Sequence, residues 1–325
     1  MDLPTIRSIP NSTSPSSPVV LGIDFGGTKI ATAVCDLSGR RLATRVIDAE
    51  PDGGARAAFE RGVRAARALL AETAIDRPLA GVGVSTFGIP SEDGVALAPA
   101  IDGWEELAMG RDLREAFEPV PVTMATDVKA AALAEARWGA LAGVDPGVYL
   151  NLGTGLAAAI VAGGRVLAGA NGAAGEIGYN LRRLSDVGYA GYVPLEEAVS
   201  GRALARLAGR PAAEAFAADE GTPLGAVADT FITELAFHVV NLAICIDPVR
   251  IAVGGGMTRS WDRIRPQLDA ALDSAAPYRP ELVLADFPFD APLMGALALA
   301  VDAIEAAQAD DGVTHNMHTR EGLTL

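Results

Sequence analysis

The stretch VVLGIDFGGTKIATAVCD, residues 19–36, decides the fold. Its two apolar runs, VVLGID and IATAVCD, read as strands joined by the tight turn Phe25-Gly26-Gly27-Thr28, and RRLATRVID follows as a third strand. Paired glycines let backbone approach a polyphosphate with amide N–H groups turned toward it. Thr28 and Lys29 add a hydroxyl donor and a compact positive charge. Asp24, at the strand end, is placed to hold Mg²⁺ directly or through a water. The plain alternative is a Gly-Gly hairpin with a charged tip.

Working outward, Asp52-Gly53-Gly54 precedes an Ala/Arg helix to about Thr73, followed by strand LAGVGVST, a hairpin-like SEDGVALAPA and helix RDLREAFE. A second block opens at VPVTMAT and runs through helix DVKAAALAEARWGA. It then repeats the opening idea: strand GVYLNL, Gly153-Thr154-Gly155, strand LAAAIVAGG. Two strand–glycine turn–strand units in one mixed α/β chain predict two related domains. A loop from Ala173 to Val193, helices between Pro194 and Ile246, RIAVGGG, helix IRPQLDAALDSA, strand ELVLADF and a closing helix complete the pattern. The expected division is a disordered lead-in at 1–18, a small α/β domain at 19–125 with helix 292–308 packed back on it, a large α/β domain at 126–291, and a disordered tail at 311–325.

Composition narrows the function. The 325 residues carry 26 Lys+Arg against 41 Asp+Glu, a net charge of −15, and no basic cluster, which disfavours nucleic acid as a partner. Half the residues are hydrophobic, so the chain folds. Two cysteines, Cys35 and Cys245, argue against a disulfide framework and against a Cys-rich zinc module. The polar first eighteen residues lack a secretory core, and FITELAFHVVNLAICI and APLMGALALAVDAI read as buried helices rather than membrane spans. The expected location is the cytoplasm and the expected partners are small ligands.

Three further motifs carry candidate chemistry. Gly153-Thr154-Gly155 is a second phosphate-facing turn, and Gly254-Gly255-Gly256, after strand RIAV, leaves room for adenine and ribose against bare backbone. In Thr126-Asp127-Val128-Lys129, an Asp at a helix start is commonly only an N-cap. At a strand's carboxyl end, in a chain with phosphate turns, it is also where a general base for phosphoryl transfer belongs. Lys29 and Lys129 are the only lysines, and both fall in these motifs. The loop Gly172 to Tyr179 with Glu176, and Leu195-Glu196-Glu197, supply single carboxylates of the kind that accept hydrogen bonds from neighbouring sugar hydroxyls. His238, His315 and His318 show no metal spacing.

In order, DFGGTKIATAVCD, GVGVSTFGIP, PAIDGW, TDVKAAALAEARWGA, VYLNLGTGLAAAIVAGGRVLAGANGAAGEIGY, LEEAVSGRAL and RIAVGGG resemble the ROK family of repressors, open reading frames and kinases. The likeness runs from about Val19 to Ala307. It implies the actin-like ATPase (ribonuclease H-like) fold, with two domains and a nucleotide and sugar cleft between them, and an ATP- and Mg²⁺-dependent sugar kinase. By resemblance Asp24, Gly26, Gly27, Thr28 and Lys29 form the first phosphate loop, Gly153, Thr154 and Gly155 the second, and Gly254, Gly255 and Gly256 the adenosine site. Asp127 is the implied base, and Gly88, Thr126, Glu176, Tyr179 and Glu196 the implied sugar contacts. Glucose or a glucose-like hexose, phosphorylated at the 6-position, is the implied acceptor, and a homodimer the implied assembly. The departures are Thr126 for the family's Asn, Tyr179 for its His, Ala100 for the Asn of PNLPGW, and a loop without the family's zinc-binding cysteines, so no zinc is expected. These leave open a kinase for an amino sugar of the kanosamine or N-acetylmannosamine type, or for a C7-cyclitol. A non-catalytic sugar sensor is the rival of another class.

Overall fold

A computed structural model describes residues 17–98, 100–219 and 221–321. The expected lead-in lies outside the described residues except for its last two. The chain divides into two compact units, one drawn from residues 1–130 and 292–325, the other from 131–291.

In the first unit the 19–36 stretch forms β1 (Val19–Phe25) and β2 (Lys29–Asp36), antiparallel from Val19↔Asp36 to Phe25↔Ile30, with β3 (Arg41–Asp48) beyond. On the other side β1 pairs in parallel with β4 (Leu79–Thr86), and β4 with β7 (Val122–Thr126), giving the order β3-β2-β1-β4-β7. A two-stranded ladder of β5 (Ile89–Pro90) and β6 (Val95–Ala96) occupies the hairpin-like segment. Helices α1 (Ala55–Thr73) and α2 (Met109–Phe117) fall where the 3.6-residue period predicts them. Helix α1 buries Ala55, Ala58, Phe59, Val63, Ala66 and Leu69 on one stripe, and Phe59 stacks on Phe25 with ring centres 5.7 Å apart.

The Val-Gly-Val-Gly texture of these strands has a packing cause. A Cβ on Gly22 would lie 2.9 Å from the Leu297 side chain, and one on Gly83 would collide with the Ala296 carbonyl. The last helix, α8 (Ala291–Glu321), therefore rides directly on the sheet through Ala296, Leu297 and Ala300, all fully buried. It is continuous to Glu321, where the sequence predicts a disordered tail from residue 311.

The second unit repeats the plan. Strands β8 (Gly147–Leu152) and β9 (Leu156–Ala162) form an antiparallel hairpin extended by β10 (Arg165–Val166), while β8, β11 (Arg250–Gly254) and β12 (Glu281–Leu284) run parallel. Helices α4 (Gly201–Ala208), α5 (Ala212–Ala217), α6 (Pro223–Ile246) and α7 (Trp261–Ala275) pack a core of Leu, Ile, Val and Phe. Helix α6 is long and apolar enough to cross a membrane, and its buried face, with Phe231, Ile232, Leu235 and Val239, belongs to this core.

The second block does not open where the sequence suggests. Strand β7 belongs to the first sheet because its register with β4, Val82↔Val122 to Thr86↔Thr126, completes the parallel run. The change of unit falls at 130/131, inside α3 (Asp127–Trp138), rather than at 125/126. Glu135 of α3 is fully buried and accepts N–H bonds from Ala140 (2.7 Å), Asp286 (3.1 Å) and Phe287 (2.8 Å). Burial pushes its carboxyl up, and the three amides oppose the shift.

Candidate active site

The candidate residues gather at the carboxyl edges of the two parallel runs. In the first unit, Phe25, Thr86 and Thr126 stand side by side at the ends of β1, β4 and β7. The glycine turn, Gly88 and Asp127 all follow these ends, which is the edge where open α/β sheets take their ligands.

The first turn closes through Gly26 N–H on the Lys29 carbonyl at 2.9 Å, and Ala49 N–H fixes the Thr28 carbonyl at 2.9 Å. A Cβ on Gly26 would stand 2.8 Å from that Lys29 oxygen, so the position admits only glycine without distortion. Thr28 and Lys29 are exposed at the tip. Below it, the Asp24 carboxylate accepts a 2.5 Å hydrogen bond from the Ser85 hydroxyl on the neighbouring strand. Burial raises the Asp24 carboxyl to about 6, with the Ser85 bond pulling the other way. Trp104, buried against Phe25 and Phe87, donates its indole N–H to Thr86 at 3.2 Å and so ties the 101–104 segment to the same edge.

Asp127 shares the start of α3 with Thr126, and both side chains accept first-turn amides. Thr126, buried at the end of β7, accepts the Lys129 N–H on its hydroxyl at 3.2 Å and serves as N-cap of α3. Asp127 is the first helical residue, half-buried, and accepts the Val128 N–H at 2.8 Å. Thr126, read from the sequence as a sugar contact, thus has a structural duty. Lys129 is buried. Gly88 has φ 75°, and a Cβ there would lie 2.5 Å from Ala98 and 2.8 Å from the Ala96 carbonyl, so its glycine is demanded by the hairpin beside it.

In the second unit the Gly153 and Thr154 carbonyls accept N–H bonds from Gly201 (2.9 Å) and Arg202 (3.3 Å) at the start of α4. Trans peptide geometry then turns the Thr154 and Gly155 N–H groups away from α4. Glu196, in a 3₁₀ turn at Leu195–Glu197, reaches this turn: one carboxylate oxygen accepts the Leu156 N–H at 2.9 Å, the other the Arg202 guanidinium at 3.1 Å. Glu176 precedes a second 3₁₀ turn, Ile177–Tyr179, whose Gly178 packs on Glu196. Tyr179 is about half exposed, and its carbonyl accepts the Tyr192 hydroxyl. The three glycines after β11 differ among themselves. A Cβ on Gly254 would collide with the Tyr149 hydroxyl and one on Gly255 with the Leu152 backbone, while Gly256 is exposed and a Cβ there would meet only the Arg259 guanidinium, at 3.5 Å.

Ser85, Trp104, Arg202 and Glu135 escaped the sequence reading. The signals were available for two: Ser85 and Thr86 are polar residues closing an otherwise apolar strand, and Glu135 is a lone acid in an alanine-rich stretch. Among the described residues no three His, Cys, Asp or Glu side chains group around a common point.

The sequence and the fold both have known relatives. The ROK family model matches residues 20–303. The bifunctional enzyme NanE/NanK of Brucella melitensis is 33% identical over 308 residues, covering 90% of this chain, which spans only 56% of that longer protein. Among solved structures, the ROK hexokinase from Thermus thermophilus superposes with a TM-score of 0.74 at 29% identity, over 89% of this chain and 99% of that one. A ROK glucokinase from Streptomyces griseus, solved with glucose and AMPPNP, gives 0.69 at 28% identity over 87% and 99% of the respective chains.

Proposed function

Since the chain belongs to the ROK family, we propose that it is an ATP-dependent sugar kinase that transfers the γ-phosphoryl group to a hydroxyl, at the 6-position, of glucose or a glucose-like hexose. The observation that carries this reading is the carboxyl edge of β1, β4 and β7. It holds the Gly26-Gly27 turn, the Ser85-bonded carboxylate of Asp24, and Asp127 at the first position of α3, next to its Thr126 cap.

The two units contribute different parts. Backbone amides of the Gly26–Lys29 turn, the Thr28 hydroxyl and the Lys29 ammonium bind the phosphates in the first unit, and the outward amides of Thr154 and Gly155 do so in the second. Gly256 offers backbone to the nucleoside. A single anchored carboxylate, Asp24, fits Mg²⁺, which is ordinarily held by one or two carboxylates with phosphate oxygens and water completing its shell. When bound, that cation neutralises charge on the phosphates. Asp127 takes the proton of the acceptor hydroxyl while its oxygen attacks the γ-phosphorus in line with the departing ADP. Glu176 and Glu196 accept hydrogen bonds from acceptor hydroxyls, Glu196 on the lone pairs left beside Leu156 and Arg202.

The residues at 100, 126 and 179 favour a second acceptor class, an amino sugar or a cyclitol. A site that pairs a substrate polar group discriminates by up to ~10⁴–10⁵, so changed polar partners alter acceptor choice before they alter phosphoryl transfer. The test is ADP release with Mg-ATP across glucose, mannose, N-acetylmannosamine, kanosamine and C7-cyclitols. Turnover with one of these supports the kinase reading and identifies the class. Sugar binding without ADP release from any of them contradicts it.

A further inference from the structure

Glu176 and Glu196 belong to turns with little regular structure of their own, and both hang on one residue. Asn180 donates its N–H to the Ile177 carbonyl at 2.9 Å, closing the turn after Glu176, and accepts the Leu195 N–H at 3.1 Å, opening the turn that carries Glu196. Its side-chain amide reaches His238 Nδ1 on α6 at 3.4 Å. Two residues on, Arg182 makes a two-pronged ion pair with Glu234, one turn earlier on α6: Nη2 to Oε2 at 2.9 Å and Nε to Oε1. Two loop residues spaced i, i+2 thus meet two helix residues spaced i, i+4, the spacing that puts both on one helix face.

Both helix partners are well placed for this. The Arg182 and Glu234 side chains are only 18% and 22% exposed, and a planar guanidinium facing a carboxylate fixes orientation as well as distance. His238 is 5% exposed, and burial lowers its basicity, with Glu234 opposing that shift and Arg182 adding to it. Burial thus disfavours the charged ring, and its Nδ1 meets the Asn180 side-chain amide. The Tyr192 hydroxyl on the Tyr179 carbonyl and the Asp186 carboxylate on the Arg183 N–H close the same loop on itself, but only Asn180 and Arg182 tie it to α6 among the bonds described.

We propose that Glu234 and His238 on α6, through Arg182 and Asn180, are positioning residues that hold Glu176 and Glu196 in the geometry the acceptor meets. This rests on the sugar-kinase reading for its functional half, and on the loop's docking for its structural half. Loss of the latch should weaken acceptor binding and leave the Gly26–Lys29 turn, which lies in the other unit, untouched.

The experiment measures hydrogen exchange of residues 176–197 and steady-state kinetics in the full chain, comparing wild type, Glu234→Gln and the charge-swapped pair Arg182→Glu with Glu234→Arg. Expected for Glu234→Gln are faster exchange confined to 176–197 and a KM for the acceptor raised about tenfold or more, with KM for ATP and kcat little changed. The swapped pair should recover both readouts. Unchanged exchange in that segment overturns the latch, and so does faster exchange with an unchanged acceptor KM. A general loss of stability without the KM split, or no recovery in the swapped pair, also contradicts it. If the wild-type chain phosphorylates no acceptor, the kinase reading has failed, whereas the exchange result still decides whether the loop is latched to α6.

Discussion

The two glycine turns look alike in sequence and differ in what supports them. The turn at Gly26 is built locally: its closing bond runs to Lys29, and its carboxylate, Asp24, sits on the preceding strand under a neighbouring serine. The turn at Gly153–Gly155 is built from afar. Its carbonyls are held by the start of α4, and its carboxylate, Glu196, arrives from forty residues downstream on a loop that α6 keeps in place. Each turn has a closing bond of its own, Gly26 N–H to the Lys29 carbonyl and Gly153 N–H to the Gly155 carbonyl, so the difference lies in the carboxylate, which comes from the adjoining strand in the first and from a distant loop in the second.

Glycine substitutions separate the two most strongly. In Gly26→Ala the new methyl meets backbone, which cannot step aside, whereas in Gly155→Ala it meets the end of the Glu196 side chain at 2.5 Å, which can. We expect Gly26→Ala to lower kcat/KM for ATP by roughly a hundredfold or more, the scale of a misplaced substrate-positioning group. Gly155→Ala should cost much less with ATP and register mainly in acceptor KM. Equal effects on ATP would erase the distinction.

Arg202→Ala removes the guanidinium from Glu196 and lets that carboxylate swing. Acceptor KM should rise about tenfold, the size of one charge-assisted contact, while ATP KM stays constant. A change confined to ATP would place Glu196 with the nucleotide instead.

The smallest effect concerns stability. Asp24 titrates at about 6 in the folded chain against 3.8 as the ordinary value, so the folded state binds a proton that the unfolded state has released between those values. Stability is complete below about pH 4 and declines as pH rises toward 6. Asp24→Asn keeps an acceptor for Ser85 and carries no charge. It should raise Tm by a few degrees above pH 6.5 and not at all near pH 4, at the expense of activity. A Tm gain independent of pH would mean that the buried charge is not its source. The opposing behaviour of stability and activity is what a carboxylate retained for function predicts.

Legibility followed the same division. Strands and helices with clean periods, such as 19–36, 79–86 and 147–162, were readable because each residue's environment repeats every two or 3.6 positions. The end of the first sheet was not, since nothing within VPVTMAT says which sheet its backbone will join. Asp24 and the Gly26 turn close strand β1, and Glu176 and Glu196 sit beside or within 3₁₀ turns. The reading of Thr126 as a sugar contact missed that its hydroxyl caps α3, a duty any Thr or Asn can perform before a helix. Ser85 showed as a polar residue closing an apolar strand, but its partner is 61 residues away, and Arg202 was invisible because it acts only through its acidic partners. His238 has no metal spacing in the sequence, and its relation to Asn180 exists only once the loop has folded onto α6.

The central claim is that Asp127, at the first position of α3, deprotonates a sugar hydroxyl beside a nucleotide held by the glycine turns. Its most direct test is turnover of Asp127→Asn with Mg-ATP and the best acceptor, alongside nucleotide affinity measured by equilibrium binding. The account predicts a kcat lower by about 10²–10⁴, the usual contribution of a general base, with ATP affinity within about twofold of wild type. Turnover near wild type, with ATP bound normally, would contradict it.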